Sequence, residues 1–246
     1  MNRVHIGLIV VVALLVLVTI YSHISYEHRA KGEIAFVGDI NNTNAGNKVL
    51  KGIAGLNTTD VILLGDVCYH GDCSMLEKYQ SEFGDKLKCI LGNHDIRTFA
   101  KETCGQPWSF ERDGITVIGL NTQGDLKKQY TFVEKTIKNT TGKIVIATQE
   151  PCINSHDNKT PKGLYNLCDG LRSLQQNITF IAGHHHLMAL AIQDEIQYYT
   201  VGSGGGFLQK CNKNVFTFCS PEYGYLSMDY PRFTFYSKDN EVEYQK

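Results

Sequence analysis

A chain of 246 residues with 42% hydrophobic and 20% charged side chains is long enough for one large globular domain. Its formal net charge of -1, with lysines scattered and no arginine-rich run, gives no electrostatic reason for a nucleic-acid partner. The eight cysteines (Cys68, Cys73, Cys89, Cys104, Cys152, Cys168, Cys211, Cys219) are even in number and all follow an apolar N-terminal stretch, which points to export and disulfides.

That stretch, Ile6 to Ile20, is nearly unbroken aliphatic sequence with Arg3 in front. A cleaved signal peptide has an apolar region of about 7 to 15 residues, whereas a membrane-spanning helix needs roughly 20. No clear small-x-small cleavage site follows, so the expectation is a retained single-pass anchor. Residues 1–31 are read as anchor, or uncleaved signal, plus tether. Residues 32–246 are then a folded domain outside the cytoplasm, or a secreted one if the segment is cleaved. Arg3 before and Arg29 and Lys31 after do not decide the orientation. Asn-x-Ser/Thr glycan acceptors begin at Asn41, Asn57, Asn139, Asn158 and Asn177, and the local pairings Cys68 with Cys73, Cys152 with Cys168 and Cys211 with Cys219 are the first disulfides to test.

In chain order, Ile34-Ala35-Phe36-Val37 is a buried strand ending in Gly38-Asp39, and Asn41 to Asn47 is a loop. Val49, Leu50, Ile53 and Leu56 share one helical face, and Val61 to Leu64 is a second strand ending in Gly65-Asp66. This is a strand-helix-strand unit of the parallel type. Met75, Leu76, Tyr79 and Phe83 mark another helix, and Leu87 to Leu91 a strand that delivers Gly92-Asn93-His94-Asp95. Trp108 to Phe110 and Ile115 to Ile118 read as strands, and Tyr130, Val133 and Ile137 as a helix. Lys143 to Ala147 ends in Thr148-Gln149-Glu150-Pro151, Asn154 to Leu167 is a loop, and Ile178 to Ala182 ends in Gly183-His184-His185-His186. Beyond Leu187 the short alternating runs at Tyr198 to Val201, Tyr225 to Met228 and Phe233 to Tyr236 predict antiparallel strands. Gly202 to Gly206 predicts a loop near the site, because glycine allows close backbone approach.

Each central strand therefore ends in candidate chemistry, at the edge where open α/β sheets place ligands. Gly38-Asp39, Gly65-Asp66-Val67-Cys68-Tyr69, Gly92-Asn93-His94-Asp95 and Gly183-His184-His185-His186 appear in that order. In this the sequence resembles the calcineurin-like metallophosphoesterases, and among them the purple acid phosphatase branch. The resemblance covers about Gly32 to the C-terminus and implies an α/β sandwich of two mixed sheets flanked by helices. It also implies two divalent or trivalent metal ions, iron paired with iron, zinc or manganese. Matched by position, Asp39, Tyr69, His186 and a bridging Asp66 would hold the first ion, an anionic set suited to oxidised iron. Asp66, Asn93 and His184 would hold the second.

The family's remaining ligand to that second ion is a histidine at a strand end, and here Gln149 stands in its place. A neutral carboxamide is a weaker ligand than imidazole for zinc or iron. Glu150, His156 and His70 are the substitutes within reach along the chain. The family mechanism implies a bridging hydroxide attacking phosphorus in line, His94 bonding the phosphate or protonating the leaving oxygen, Asp95 orienting that imidazole, and His185 facing substrate or solvent. The expected activity is hydrolysis of a phosphorylated small molecule or phosphoprotein. The alternative is a catalytically impaired member kept as a binding module, on account of Gln149.

Overall fold

The computed structural model describes residues 33–246 apart from positions 97, 139, 154–163, 175–176 and 213. The expected anchor and tether, and the acceptors Asn139 and Asn158, lie outside the described residues. Among those described, no helix is long and apolar enough to cross a membrane.

Two sheets face each other. The first has the strand order β13-β12-β11-β1-β2-β3, built from β1 (Glu33–Val37), β2 (Thr58–Leu63), β3 (Leu87–Cys89), β11 (Gly224–Asp229), β12 (Arg232–Ser237) and β13 (Val242–Gln245). The second runs β10-β8-β9-β7-β6-β5-β4, from β4 (Trp108–Arg112), β5 (Ile115–Gly119), β6 (Lys143–Thr148), β7 (Ile178–Ala182), β8 (Met188–Gln193), β9 (Ile196–Val201) and β10 (Phe218–Ser220). β1, β2 and β3 are parallel, as are β5, β6 and β7, so the C-terminal ends of each trio lie on one edge.

Strands buried on both faces read as continuous aliphatic runs, and the pleat divides them. Ile34, Phe36, Ile62 and Leu64 meet Val145, Ala147, Ile181, Tyr199 and Val201 between the sheets. Ala35, Val37, Val61 and Leu63 face outward beneath helices α1 (Asn44–Ala54) and α2 (Ser74–Phe83). On the other side Ile144, Ile146 and Phe180 lie under α4 (Leu126–Ile137) and α5 (Tyr165–Leu174). A short helix, α3 (Ala100–Cys104), precedes β4. The architecture is thus the α/β sandwich with two mixed sheets. Truncating a fully buried inter-sheet residue such as Phe36→Ala would cost about 3–5 kcal/mol.

Three corrections follow from local physics. The Asn-rich stretch is a loop only to Thr43, whose hydroxyl accepts the Gly46 N–H at 3.0 Å and starts α1 at Asn44. The loop read from Asn154 to Leu167 gives way to α5 from Tyr165. β9 pairs antiparallel with β8 but parallel with β7, so the C-terminal part is not purely antiparallel. The cysteines form Cys68–Cys73, Cys152–Cys168 and Cys211–Cys219 as expected, and Cys89–Cys104 completes the set.

Candidate metal centre

The strand ends converge because of how each strand stops. Asp39, Asp66 and His184 each follow a glycine and take left-handed backbone, with φ of 56°, 50° and 68°. That conformation is unfavourable for a side chain by roughly 1–2 kcal/mol, and backbone bonds hold it. Asp39 N–H donates to Gly65 O at 3.0 Å, Gly38 N–H to Val201 O at 2.8 Å, and Gly206 N–H to Asp39 O at 3.1 Å. The glycine loop after β9 is therefore part of the site floor, as its composition predicts. A Cβ at Gly92 would lie 2.1 Å from Asp66 Oδ1 and 2.2 Å from Asp66 N, so only glycine allows β3 to pass this close.

Asp39 Oδ1, Tyr69 Oη and His186 Nε2 form a triangle. Tyr69 Oη lies 3.2 Å from the carboxylate and 3.0 Å from the imidazole, and His186 Nε2 is 3.1 Å from Asp39. Three ligands at right angles around an ion at about 2.1 Å would be about 3 Å apart, so the triangle has the dimensions of one face of an octahedral set. His186 Nδ1 is fixed by the Phe207 carbonyl at 2.6 Å, which leaves Nε2 as the free ligand atom. Counting only His, Cys, Asp and Glu, no group of three or more that could hold an ion is found among the described residues; this set reaches three donors through the Tyr69 phenol.

The charges are unbalanced. Asp39 and Asp66 are buried, and none of their described partners is a lysine or arginine. Burial, with the charge of Asp39 added, pushes the Asp66 carboxyl up to about 8. Burial and then the same two carboxylates push the Tyr69 phenol far above its ordinary value. For His186 burial acts downward, but the hydrogen bond and charge of Asp39 outweigh it and hold the imidazole above its ordinary value. Buried carboxylates in this state fit a cation.

The second cluster is filled differently. Gln149 is fully buried, and its Nε2 lies 3.2 Å from Asp66 Oδ2, 3.3 Å from Asn93 Oδ1 and 3.0 Å from His184 Nδ1. These are hydrogen-bond distances around an amide nitrogen, about 1 Å longer than metal-ligand bonds. Gln149 Oε1 is buried without a hydrogen-bond partner among the described residues.

Residues 32–200 match the calcineurin-like phosphoesterase family. The chain belongs to that family. No curated protein sequence matches it. Among solved structures this chain is similar to GAP50, the anchor in the inner membrane complex of Plasmodium, at 14% identity and a TM-score of 0.65 over 87% of each chain. It is also similar to purple acid phosphatase PPD1 from yellow lupin seeds, at 14% identity and a TM-score of 0.66, over 87% of this chain and 53% of that one. The chain thus spans about half the length of the lupin protein. PhoD matches at 10% identity and a TM-score of 0.59, over 87% of this chain and 68% of that one. At these identities the likeness is one of fold.

Around the candidate centre, His94 is 45% exposed at its side chain, with Nε2 4.0 Å from Asp66 Oδ2 and its ring 4.8 Å from that of Tyr69. It overhangs the site from the solvent side. Asp95 has a different place from the one expected. Its Oδ1 accepts the Val67 and Cys68 N–H groups, both at 2.9 Å, and its Oδ2 accepts that of Gly92 at 2.8 Å. Its oxygens are engaged by backbone and brace the Tyr69 turn against the end of β3. His185 does not face solvent but is buried, with Nδ1 3.3 Å from Gln209 Oε1. Glu150 accepts from Gln123 Nε2 at 3.1 Å instead of replacing Gln149, His70 is exposed, and His156 lies outside the described residues. The Phe207 carbonyl was not foreseeable, since a backbone acceptor leaves no mark in side-chain identity.

Proposed function

We propose that the chain hydrolyses phosphoesters with the help of metal held at the strand ends. The observation carrying this reading is the triangle of Asp39, Tyr69 and His186 beside a buried Asp66 that no lysine or arginine neutralises among the described residues. A cation there would supply Lewis acidity, lowering the pKa of water and offsetting phosphoryl charge. Asp39, Tyr69 and His186 would hold it, with the Asp66 carboxylate beside them to offset its charge; the anionic oxygens favour a hard ion such as iron(III), with manganese or zinc as other candidates. The two-ion centre implied by the resemblance does not fit the second cluster as it stands, because the Gln149 amide nitrogen lies among Asp66, Asn93 and His184.

The chain's own groups do the remaining work. His94, open to solvent above Asp66, is placed to bond a phosphoryl oxygen and to pass a proton to the departing alcohol. The Asp39 backbone is pinned by Gly65 and Gly206, and Asp66 Oδ1 accepts the His94 N–H at 2.9 Å, so the carboxylates need little reorganisation. Four disulfides support an oxidising compartment, and with the apolar N-terminal sequence they support an exported, membrane-tethered domain carrying glycans at the exposed Asn57 and Asn177.

The test is hydrolysis of an aryl phosphate by the full chain supplied with iron, manganese or zinc. Turnover that falls roughly 100-fold or more in His94→Ala and Asp39→Asn is expected. Rates no higher than in those variants, with every metal, would refute it. That outcome would favour the second reading, a binding module, which the Gln149 carboxamide supports.

A further inference from the structure

We infer that Gln149 closes the second metal position with its own carboxamide, so that the centre takes a single ion, at Asp39, Tyr69 and His186. This rests on the metal reading above and sharpens it. Nε2 lies within 3.0 to 3.3 Å of three groups that would otherwise ligate an ion, and its two hydrogens are shared among those acceptors. The reverse orientation would set Oε1 against the Asp66 carboxylate and the Asn93 carbonyl, two acceptors that a cation or a proton would have to reconcile with it.

The side chain is also wedged in place. A Cβ at Gly65 would lie 2.3 Å from Gln149 Cγ and 2.7 Å from its Cβ, so the glutamine stem fills the notch that glycine leaves. With no exposed surface, it has no open space to swing into. A donor group placed among an aspartate, an asparagine oxygen and a histidine does part of a cation's electrostatic work without its charge. The unpaired Oε1 is what this arrangement leaves unsatisfied among the described residues.

Metal content of the full chain decides the matter, measured by elemental analysis after equilibrium dialysis against manganese(II) or zinc(II). One ion per chain is expected, with affinity unchanged in Asn93→Ala and lowered at least tenfold in Asp39→Asn. Gln149→His, which replaces the donor with an imidazole ligand, is expected to bind two, with a spin-coupled signal in the manganese form. Two ions in the unmodified chain, or a single ion lost in Asn93→Ala, would overturn the inference while leaving metal binding intact. If Gln149→His does not fold, the unmodified chain and Asn93→Ala still give the answer. No bound ion would overturn the metal reading itself, and the inference with it.

Discussion

Asp95 offers the sharpest separation of a bracing role from a catalytic one. Its carboxylate accepts three buried backbone N–H groups, from Val67, Cys68 and Gly92. Asp95→Ala removes the acceptors of all three donors at once. A buried donor left unpaired costs about 1–3 kcal/mol, and water admitted to the gap recovers some of it, so a loss of about 3–6 kcal/mol is expected. Asp95→Asn keeps one oxygen, which can still serve Val67 and Cys68, and sets an NH₂ against the Gly92 N–H; about 1–3 kcal/mol is expected. Urea unfolding with disulfides intact measures both, and Tm should fall by roughly 2–4 °C per kcal/mol for a chain of this size. Equal effects in the two variants, or changes within about 0.5 kcal/mol as at ordinary surface sites, would refute the bracing role. A residue that only orients His94 would leave stability alone and move the pH profile of turnover instead.

Three further outcomes follow. Asp66 titrates near 8 in the metal-free fold against 3.8 when unfolded, so the folded chain holds a proton that the unfolded chain releases. The contribution of Asp66 to metal-free stability is therefore largest below about pH 4 and falls by about 1.4 kcal/mol per pH unit towards pH 8, roughly 3 kcal/mol between pH 5 and 7; the difference in denaturation between chelated protein and its Asp66→Asn variant should show this slope. Gly92→Ala drives a methyl into Asp66 and should lower affinity for manganese at least tenfold, read by calorimetry; unchanged affinity would show that β3 can retreat. Replacing Cys68 and Cys73 by serine opens a loop of sequence separation 5 and should cost about 2 kcal/mol. It should also broaden the Tyr69 environment, seen as a weakened tyrosinate absorption in the iron form.

The ligand-bearing strand ends were legible because strands buried on both faces leave unmistakable aliphatic runs, and all but β6 stop at a glycine followed by a polar group. Less legible were elements whose polarity hides their structure. α1 begins among asparagines, and only the Thr43 cap, with Gly46 three residues on, marks its start. β8, Met-Ala-Leu-Ala-Ile-Gln, is buried along most of its length and shows no alternation to read. At the site the sequence could give Gln149 as a departure but not its direction of pointing, because whether an amide presents oxygen or nitrogen depends on three partners from distant segments. Asp95 failed for a related reason: adjacency to His94 in sequence says nothing about which way its carboxylate turns.

Asp39, Asp66, Tyr69 and Asn93 come from the first sheet, and Gln149, His184 and His186 from the second. An ion held by Asp39, Tyr69 and His186 would therefore be a rivet through both halves of the sandwich, added to the apolar layer and the few backbone bonds that already join them. Its hold grows with supply: at a hundredfold excess over Kd it contributes about 2.7 kcal/mol to stability. The lifetime of the folded chain would then track the metal content of its surroundings, and scarcity would reach the protein first as unfolding and only afterwards as lost turnover.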